Sequence, residues 1–298
     1  MHEPVRTRQK IFTARTFSIR EGRIILTLYI DTCVLPRCNL ETAAVYRERF
    51  GTELGFELLP MFDLPGWEEN LKRNLPMLMQ GPLMFHEPVW GVEHTAPPPT
   101  PGWEESMVQL KLTRKYADLL HPSSMVVHLN NCPVPDGARD RMLKSALERL
   151  DEMRDLFPDV PLWLENTGTA ADGTILLDQA EFSELCLVQR QDVLIDVGHA
   201  NANGWDIPRL LEDLKDRIRG FHIHNNDGVH DQHRRLCDGT IDFHRLLPLI
   251  RQKVPEANLV IEYTRPALHG EPLCEDIAAV RSMLREEPFP KGEKEDAE

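Results

Sequence analysis

The sequence predicts an α/β protein built as one closed (β/α)8 TIM barrel. Three observations lead to this prediction: eight short apolar runs, amphipathic stretches long enough for a helix after each run, and about 250 residues to hold the series. Runs rich in Val, Ile, Leu and aromatic residues are typical of parallel strands covered on both faces. An open doubly wound sheet is the alternative, but no Gly-x-Gly-x-x-Gly segment follows the first strand. We therefore expect a single-domain barrel.

The elements of this series can be placed in chain order. The strand candidates are 24–32, 55–61, 82–90, 124–131, 161–167, 193–200, 218–225 and 258–264. After the first strand, Asn39 is placed to cap a helix that ends at Gly51. After the fourth, apolar residues recur at steps of three and four from Leu143 to Phe157, and Pro158 ends the pattern. Further amphipathic stretches cover 207–217, 242–254 and 271–287.

The remaining segments are connections and ends. Residues 1–23 are an expected N-terminal extension and residues 24–290 the barrel, while the sequence KGEKEDAE over 291–298 predicts a disordered acidic tail. The connection GVEHTAPPPTPGW, 91–103, is long and Pro-rich, so we expect neither helix nor strand there. We interpret it as either a lid or a stiff crossover.

The composition narrows the class of protein. Of 298 residues, 41% are hydrophobic and 28% charged, and no run approaches the ~20 apolar residues of a membrane span. The N-terminus lacks the apolar stretch of a signal peptide, and six cysteines without a Cys-x-x-Cys pair fit reduced thiols, so we expect a cytoplasmic protein. A net charge of −14 opposes nucleic-acid binding unless basic residues gather on one face, and it suits divalent cations.

The segment Phe221–His233, FHIHNNDGVHDQH, contains four histidines, two aspartates and two asparagines in thirteen positions. This density is typical of metal coordination or proton transfer rather than of a surface or an apolar core. In a TIM barrel the chemistry lies at the carboxyl ends of the strands. Six consecutive predicted strands carry a metal ligand or an acid–base residue there: His86, His128, Glu165, Asp196 with His199, His222 with Asp231 and His233, and Glu262.

Carboxylates inside apolar strands are the strongest of these signals. Ionised carboxylates are rarely buried unless paired or metal-bound, so Glu165, Asp196 and Glu262 predict a functional site. His128 in MVVHLNN is weaker on its own, because a lone histidine in such a strand is more often a satisfied core group. Other candidates of the histidine-rich segment are assigned to the loop or to the surroundings of the ligands: His224, Asp227 and His230. Four histidines are treated as ordinary polar residues: His94, His121, His244 and His269.

The types of ligand indicate which metals would bind. Three carboxylates, Glu165, Asp196 and Glu262, together with a nitrogen of His222 favour Mn²⁺-like ions. Additional ligand positions would make room for two or three ions, and zinc then becomes the better fit: His86, His128, His199, Asp231 and His233. Co²⁺ and Fe²⁺ suit the same mixture of oxygen and nitrogen ligands.

Four segments resemble the xylose isomerase-like TIM barrels, the superfamily of sugar isomerases and epimerases that also contains endonuclease IV. They are WLENTG, IDVGHANANGWD, GFHIHNNDGVHDQH followed by DGTID, and VIEYTRP. The likeness covers the second half of the chain closely, and His86 and His128 extend it into the first half. It is specific to the superfamily rather than to one activity.

For the ketose epimerases of this superfamily, the resemblance implies one divalent ion held by Glu165, Asp196, His222 and Glu262. The two glutamates would remove and return a proton next to a metal-bound carbonyl, through an enediolate, and His199 would orient a substrate oxygen. Lyase or dehydratase chemistry on a cyclic polyol starts from the same enolate and stays open.

For endonuclease IV, the resemblance implies a three-zinc site that would hydrolyse a phosphodiester at an abasic site. Its ligand types occur here in the same chain order: His86, His128, Glu165, Asp196, His199, His222, Asp231, His233 and Glu262. Two features point away from this activity. Gln232 stands where that enzyme has an arginine suited to phosphate, and the segments HEPVWGVEHTAPPP, LNNCPVPDG and ENTGTAADG contain no Lys or Arg. The nearby Arg234, Arg235 and Arg265 would suffice for one phosphate on a sugar.

We therefore expect an enzyme, a metal-dependent isomerase or epimerase acting on a sugar, a sugar phosphate or a polyol. A zinc-dependent phosphodiesterase of the endonuclease IV type is the alternative. A barrel that has lost catalysis and only binds a ligand or protein is a third interpretation, which the intact pair of glutamates opposes. The expected partner is a small sugar-like molecule, neither membrane nor nucleic acid, and the resemblance leaves a homodimer open.

Overall fold

The computed structural model describes residues 19–20, 23–24 and 26–284. Ile19–Arg20 pairs with Arg23–Ile24 as a short antiparallel ladder. The rest of the described chain is one closed barrel of eight parallel strands with helices outside it, so the predicted (β/α)8 TIM barrel is confirmed. The predicted tail, 291–298, and most of the predicted extension, 1–23, lie outside the described residues.

Each barrel strand falls within its predicted apolar run and is shorter than the run. In chain order the strands are β1 (Leu28–Asp31), β2 (Gly55–Leu58), β3 (Leu83–His86), β4 (Met125–Val127), β5 (Leu162–Glu165), β6 (Val193–Asp196), β7 (Ile218–Ile223) and β8 (Asn258–Ile261). Each strand pairs with the next in sequence, and β8 closes the barrel against β1 in the register Leu259 to Leu28.

At least one helix follows every strand of the barrel. The helices are α1 (Ala44–Phe50), α2 (Trp67–Leu78), α3 (Pro101–Leu120), α4 (Arg139–Leu156), α5 (Gln179–Val188), α6 (Val197–Ala202), α7 (Ile207–Leu214), α8 (Phe243–Lys253) and α9 (Glu271–Met283). Short 3-10 turns cover Thr32–Val34, Pro36–Cys38, Leu40–Ala43, Gly51–Glu53 and Pro266–Leu268. The predicted end of α1 is confirmed, because Gly51 follows it with a φ of 73°.

In two of the predicted segments a helix begins before the predicted boundary. The Pro-rich segment 91–103 is a loop only as far as Thr100, whose hydroxyl accepts a hydrogen bond from the Trp103 N–H at 3.3 Å and caps α3. Pro101 can begin that helix because its first residue needs no N–H donor. The sixth apolar run, 193–200, is a strand only as far as Asp196. The Asp196 carboxylate accepts from the backbone N–H of His199 at 2.6 Å and so starts α6.

Alternate side chains of the strands fill the barrel in layers. One buried apolar layer, here called the floor, consists of Tyr29, Met84, Val126, Trp163, Leu194 and Val260. Because side chains alternate with a period of two, the residue two positions later along each strand faces the same interior, nearer to the carboxyl end. Those residues are Asp31, His86, His128, Glu165, Asp196 and Glu262. The floor therefore supports a polar layer at the carboxyl ends of the strands, here called the mouth.

Glycines complete the floor on the two remaining strands. A Cβ on Gly55 of β2 would lie 2.2 Å from the ring of Tyr29, and a Cβ on Gly220 of β7 would lie 3.2 Å from the ring of Trp163. These glycines leave room for the two large rings. Two residues after them come Glu57 and His222, so all eight strands contribute a polar side chain to the mouth.

Two further predictions can be compared with the described part of the chain. Within it, no helix combines the length and the apolar character needed to cross a membrane. The six cysteines are all free thiols, as the absence of a Cys-x-x-Cys pair predicts.

Candidate metal centre

The mouth brings all nine predicted ligand positions into one connected cluster. The inner part is formed by Glu165, Asp196, His222 and Glu262, here called the four-residue set. The Nδ1 atom of His222 lies 3.4 Å from Glu165 Oε2, 3.4 Å from Glu262 Oε2 and 3.7 Å from Asp196 Oδ2. Strand pairing produces this convergence, because Asp196 and His222 are partners in the register of β6 and β7. Carboxylates from three parts of the chain thus surround one imidazole nitrogen.

His86 and His128 lie on the other side of Glu165. Their Nε2 atoms are 3.5 and 3.1 Å from Glu165 Oε2. The Nδ1 of His86 donates to the carbonyl oxygen of Glu87 at 2.8 Å, and the Nδ1 of His128 donates to Asn131 Oδ1 at 2.6 Å. Both rings therefore keep Nε2 available towards the same carboxylate.

The Pro-rich loop helps to hold His128 in this position. Glu93 accepts hydrogen bonds from the backbone N–H groups of Thr95 and Asn131, at 2.8 and 2.9 Å. The side-chain amide of Asn131 donates to the carbonyl of Val92 at 2.9 Å, which fixes the orientation of the oxygen that receives His128. Of the two interpretations of this segment, these bonds support a stiff crossover.

His199, Asp231 and His233 extend the cluster outward. His199 Nδ1 lies 3.2 Å from Glu165 Oε1, and its Nε2 lies 3.4 Å from Asp231 Oδ2. His233 Nε2 lies 3.0 Å from the same oxygen of Asp231, and its Nδ1 donates to the backbone carbonyl of Glu262 at 3.0 Å. His233 has a φ of 44°, a left-handed conformation that is costly for a residue with a side chain and recurs at functional sites.

Two carboxylates of the cluster, Glu165 and Asp196, have lowered pKa values in spite of their burial. Glu165 and Asp196 are 2% and 0% exposed. Burial opposes the charge on Glu165, but His128 and His222 outweigh it and hold its pKa well below the usual value. His199 and His224 lower the pKa of Asp196 in the same way, again against the effect of burial.

Four histidines of the cluster have raised pKa values: His86, His199, His222 and His233. Burial alone would lower their pKa values, but nearby carboxylates raise the pKa of His86 to about 10 and that of His233 to about 9. Glu262, Glu57 and Glu165 raise the pKa of His222 well above its usual value. Without a bound cation, these raised pKa values favour the imidazolium form of His86, His222 and His233, so that protons occupy positions that a metal ion would take.

Three mouth residues were not predicted as ligands. Asp31 and Glu57 are both completely buried and are partners in the register of β1 and β2. Burial, reinforced by Glu57, raises the pKa of Asp31 well above its usual value. The signal that could have found them is the two-residue step after Tyr29 and Gly55. His224, assigned to the loop or to the ligand surroundings, is fully buried, with Nε2 3.1 Å from Asp196 Oδ2.

The interpretation of His94 as an ordinary polar residue is wrong. His94 is 1% exposed, and its Nε2 lies 2.6 Å from Glu87 Oε2. The other carboxylate oxygen of Glu87 accepts from the backbone N–H of His128 at 3.1 Å. His94 belongs to the Pro-rich loop, so the pair connects that loop to the backbone of His128, one of the predicted ligand positions.

The donor atoms of the mouth fit a divalent metal ion. Several buried atoms there have no hydrogen-bond partner among the described residues: Nδ1 of His199, His222 and His224, Oδ1 of Asp231 and Oε2 of Glu262. Such orphaned buried groups are uncommon in folded proteins. Five trios of mouth side chains, among them Asp196, His222 and Glu262, each bring one ligand atom per residue to within 4.8 Å of the others. Mixed imidazole and carboxylate ligands suit Mn²⁺, Zn²⁺, Fe²⁺ and Co²⁺.

Two arginines that follow the histidine-rich segment, Arg234 and Arg235, already contact acidic side chains. Arg235 donates to Asp276 Oδ2 at 2.9 Å and to Glu275 Oε2 at 2.8 Å, so it is held against α9. Arg234 lies 3.8 Å from Asp238. Two of the three arginines noted beside the motifs thus already have acidic partners.

The sequence match identifies the family. Residues 81–286 match the family of xylose isomerase-like TIM barrels, and this match covers more than half of the chain. This protein therefore belongs to that family, as the resemblance of its motifs predicts. No curated protein gives a significant match to the sequence.

Solved structures with a similar fold fall into both branches that the motifs suggest. A D-tagatose 3-epimerase-like protein has 18% sequence identity and a TM-score of 0.67, with 86% of this chain and 99% of that chain covered. Endonuclease IV from Thermus thermophilus has 20% identity and a TM-score of 0.62, with coverage of 87% and 98%. The IOLI protein with a binding zinc atom has 18% identity and a TM-score of 0.64, with coverage of 87% and 96%. At these identities the likeness concerns the fold.

Proposed function

We propose that this protein is a metal-dependent isomerase or epimerase of a sugar, a sugar phosphate or a related polyol. It would move a proton to and from a carbon next to a carbonyl group. One observation carries the proposal: Glu165 and Glu262 each bring a carboxylate oxygen to 3.4 Å from His222 Nδ1, at a nitrogen that also faces Asp196. The similarity to a D-tagatose 3-epimerase-like protein supports a sugar as the substrate class.

Each residue of the four-residue set has a role in this proposal. Glu165, Asp196, His222 and Glu262 would hold the ion, which supplies charge that polarises the substrate carbonyl and acidifies the neighbouring C–H. The carboxylates of Glu165 and Glu262 come from β5 and the end of β8, so one can accept the proton and the other can return it. His199, between Glu165 and Asp231, would orient a substrate oxygen.

The number of ions decides between the candidate metals. A single ion in the four-residue set has three oxygen ligands and one nitrogen, which favours Mn²⁺. Occupation of the sites around His86 with His128 and around His199 with His233 would add nitrogen ligands and favour Zn²⁺. Metal analysis of the purified protein distinguishes these two cases.

Proton exchange tests the proposal on a panel of candidate substrates. The metal-loaded protein is incubated in D₂O with ketoses, ketose phosphates and cyclic keto-polyols, and deuterium at the carbon next to the carbonyl is followed by NMR. We expect incorporation for at least one compound and its loss in Glu262→Gln, because an amide cannot accept the proton. Glu275→Gln, which changes an exposed glutamate paired with Arg235, is the matched control and should keep full exchange.

Two results would refute the proposal. One is the absence of exchange for every compound with a fully metal-loaded protein. The other is unchanged exchange in Glu262→Gln, since the second glutamate would then have no part in proton transfer.

The second candidate function is a zinc phosphodiesterase of the endonuclease IV type. A specific observation favours it: Asp231 Oδ2 lies 3.4 Å from His199 and 3.0 Å from His233, and His199 joins this group to Glu165 and so to the remaining ligand positions. A local basic surface would be needed as well, and the segments 86–99, 129–137 and 165–173, which follow three of the barrel strands, contain no Lys or Arg. Incubation of the zinc-loaded protein with an abasic-site duplex tests this function, and a lack of specific incision would exclude it.

A further inference from the structure

Glu57 is a buried carboxylate that lies outside the nine predicted ligand positions. It is on β2, is completely inaccessible to solvent, and its Oε1 lies 2.9 Å from Nε2 of His222. His222 is also completely buried, so water cannot replace this contact. Position in the barrel makes the contact possible: Gly55 leaves the floor open to the Tyr29 ring, and Glu57 then projects into the next layer.

The contact determines which nitrogen of His222 can bind a cation. Nε2 is the ring nitrogen of His222 at hydrogen-bond distance from Glu57, 2.9 Å from Oε1, and there it donates to a carboxylate oxygen. In the singly protonated ring, the lone pair is then on Nδ1. That is the atom surrounded by Glu165, Glu262 and Asp196 at 3.4 to 3.7 Å, and it has no hydrogen-bond partner within the described residues.

Glu57 could instead be a ligand, because Glu57, His86 and His222 place ligand atoms within 4.8 Å of one another. The orientation of the two rings argues against this role. His86 directs Nε2 to within 3.5 Å of Glu165, and His222 directs Nδ1 towards the four-residue set. Both rings therefore offer the mouth a nitrogen, and only the Nε2 of His222 is turned towards Glu57.

We propose that Glu57 is a positioning residue, which fixes the tautomer and the orientation of His222 so that Nδ1 faces the cation. The inference rests on the proposed function, because it assumes a metal ion in the four-residue set. Hydrogen-bonded partners of this kind around metal ligands usually contribute about 10–100-fold to metal affinity.

Competition with a chelator tests the inference by giving the Zn²⁺ dissociation constant of the parent protein and of two variants. Glu57→Leu removes the acceptor and should weaken binding about 10–100-fold with the same number of ions per chain. Glu57→Gln keeps an acceptor oxygen but loses the negative charge, so it should bind Zn²⁺ more tightly than Glu57→Leu does. If only the negative charge of Glu57 mattered, both variants would lose the same affinity. Asp276→Asn is the matched control: it removes a buried carboxylate held by Arg235 and Tyr263, and Zn²⁺ affinity should not change.

Nitrogen-15 NMR of the zinc-loaded parent gives a readout that does not depend on the folding of a variant. We expect the His222 ring to show a protonated Nε2 and a metal-bound Nδ1. The reverse assignment would overturn the inference. So would equal affinity in the parent and both Glu57 variants, and so would the loss of one ion per chain in Glu57→Gln, which would make Glu57 a ligand. If the parent binds no metal ion, the proposed function itself fails, and that result is distinct from the other three.

Discussion

Glu165 is the residue on which most imidazoles of the mouth converge. His86, His128 and His222 approach its Oε2 within 3.5 Å, and His199 approaches its Oε1 at 3.2 Å. A carboxylate with 2% exposure is stable in the ionised form only because these groups compensate its desolvation. The same carboxylate belongs to two of the trios that could hold an ion, so one side chain links the structural and the chemical roles of the site.

Replacement of this residue tests both roles. In Glu165→Gln the loss of the charge leaves buried imidazolium groups uncompensated, so the free energy of unfolding of the metal-free protein should fall by about 3 kcal/mol. The number of bound ions should fall as well. Urea denaturation and elemental analysis measure these two effects. Unchanged stability together with full metal content would contradict the assigned role of Glu165, and Glu275→Gln should leave both quantities unchanged.

At the scale of the elements, the short helix α6 positions two of the predicted ligands next to one glycine. Asp196 caps this helix and His199 lies in its first turn. Between them, Gly198 lies against the ring of His224: a Cβ added to Gly198 would be 2.0 Å from the His224 Cε1 atom. The segment from Asp196 to His199 therefore needs a residue without a side chain at position 198.

We accordingly expect Gly198→Ala to displace His224 or the whole of α6. The stability should decrease by about 1–3 kcal/mol, as for other overpacked interiors. The stabilisation by added Zn²⁺ should become smaller as well. Thermal unfolding with and without Zn²⁺ measures both. Gly102→Ala, within α3, is the control. The nearest atom to its added Cβ would be the Ala96 Cβ at 3.4 Å, so this helix has room for the methyl group. Equal metal stabilisation in Gly198→Ala and the parent would contradict the proposed packing.

The period of two along the strands explains how far the sequence alone could predict the site. Histidines and acids at the ends of β3, β4, β5 and β6 stand out because they follow apolar residues and because their side chains are chemically unusual there. Asp31 and Glu57 are also carboxylates in apolar runs, LYID and GFEL, but neither run belongs to the segments that resemble the family, and their burial becomes evident only once the barrel closes. The Glu87–His94 pair depends on the path of the Pro-rich loop, which local patterns do not determine.

At the scale of the whole molecule, the metal-free protein should become less stable as the pH rises. The pKa values of His86 and His233 are raised from 6.5 to about 10 and about 9 in the folded state. A raised pKa contributes stability that is complete below the unfolded value and is lost as the pH passes through the folded value. The Tm of the chelator-treated protein should therefore fall between pH 7 and pH 10.

Metal binding should show the opposite dependence on pH, because the ion displaces these protons. Zn²⁺ affinity should increase from pH 6 to pH 8, and calorimetry in two buffers should show protons released. His233→Asn should reduce the fall in Tm at high pH, whereas the exposed His244→Asn should not. A metal-free protein whose Tm rises over this range would contradict the charge assignment of the mouth.

We expect the four-residue set to bind a divalent ion at the mouth of the barrel. Anomalous diffraction at the absorption edge of the metal tests it most directly, with crystals of the protein loaded with Zn²⁺ or Mn²⁺. We expect a peak about 2.0–2.3 Å from His222 Nδ1 and from carboxylate oxygens of Glu165, Asp196 and Glu262. A fully loaded protein without a peak at these four residues, or with ions bound only elsewhere, would contradict it.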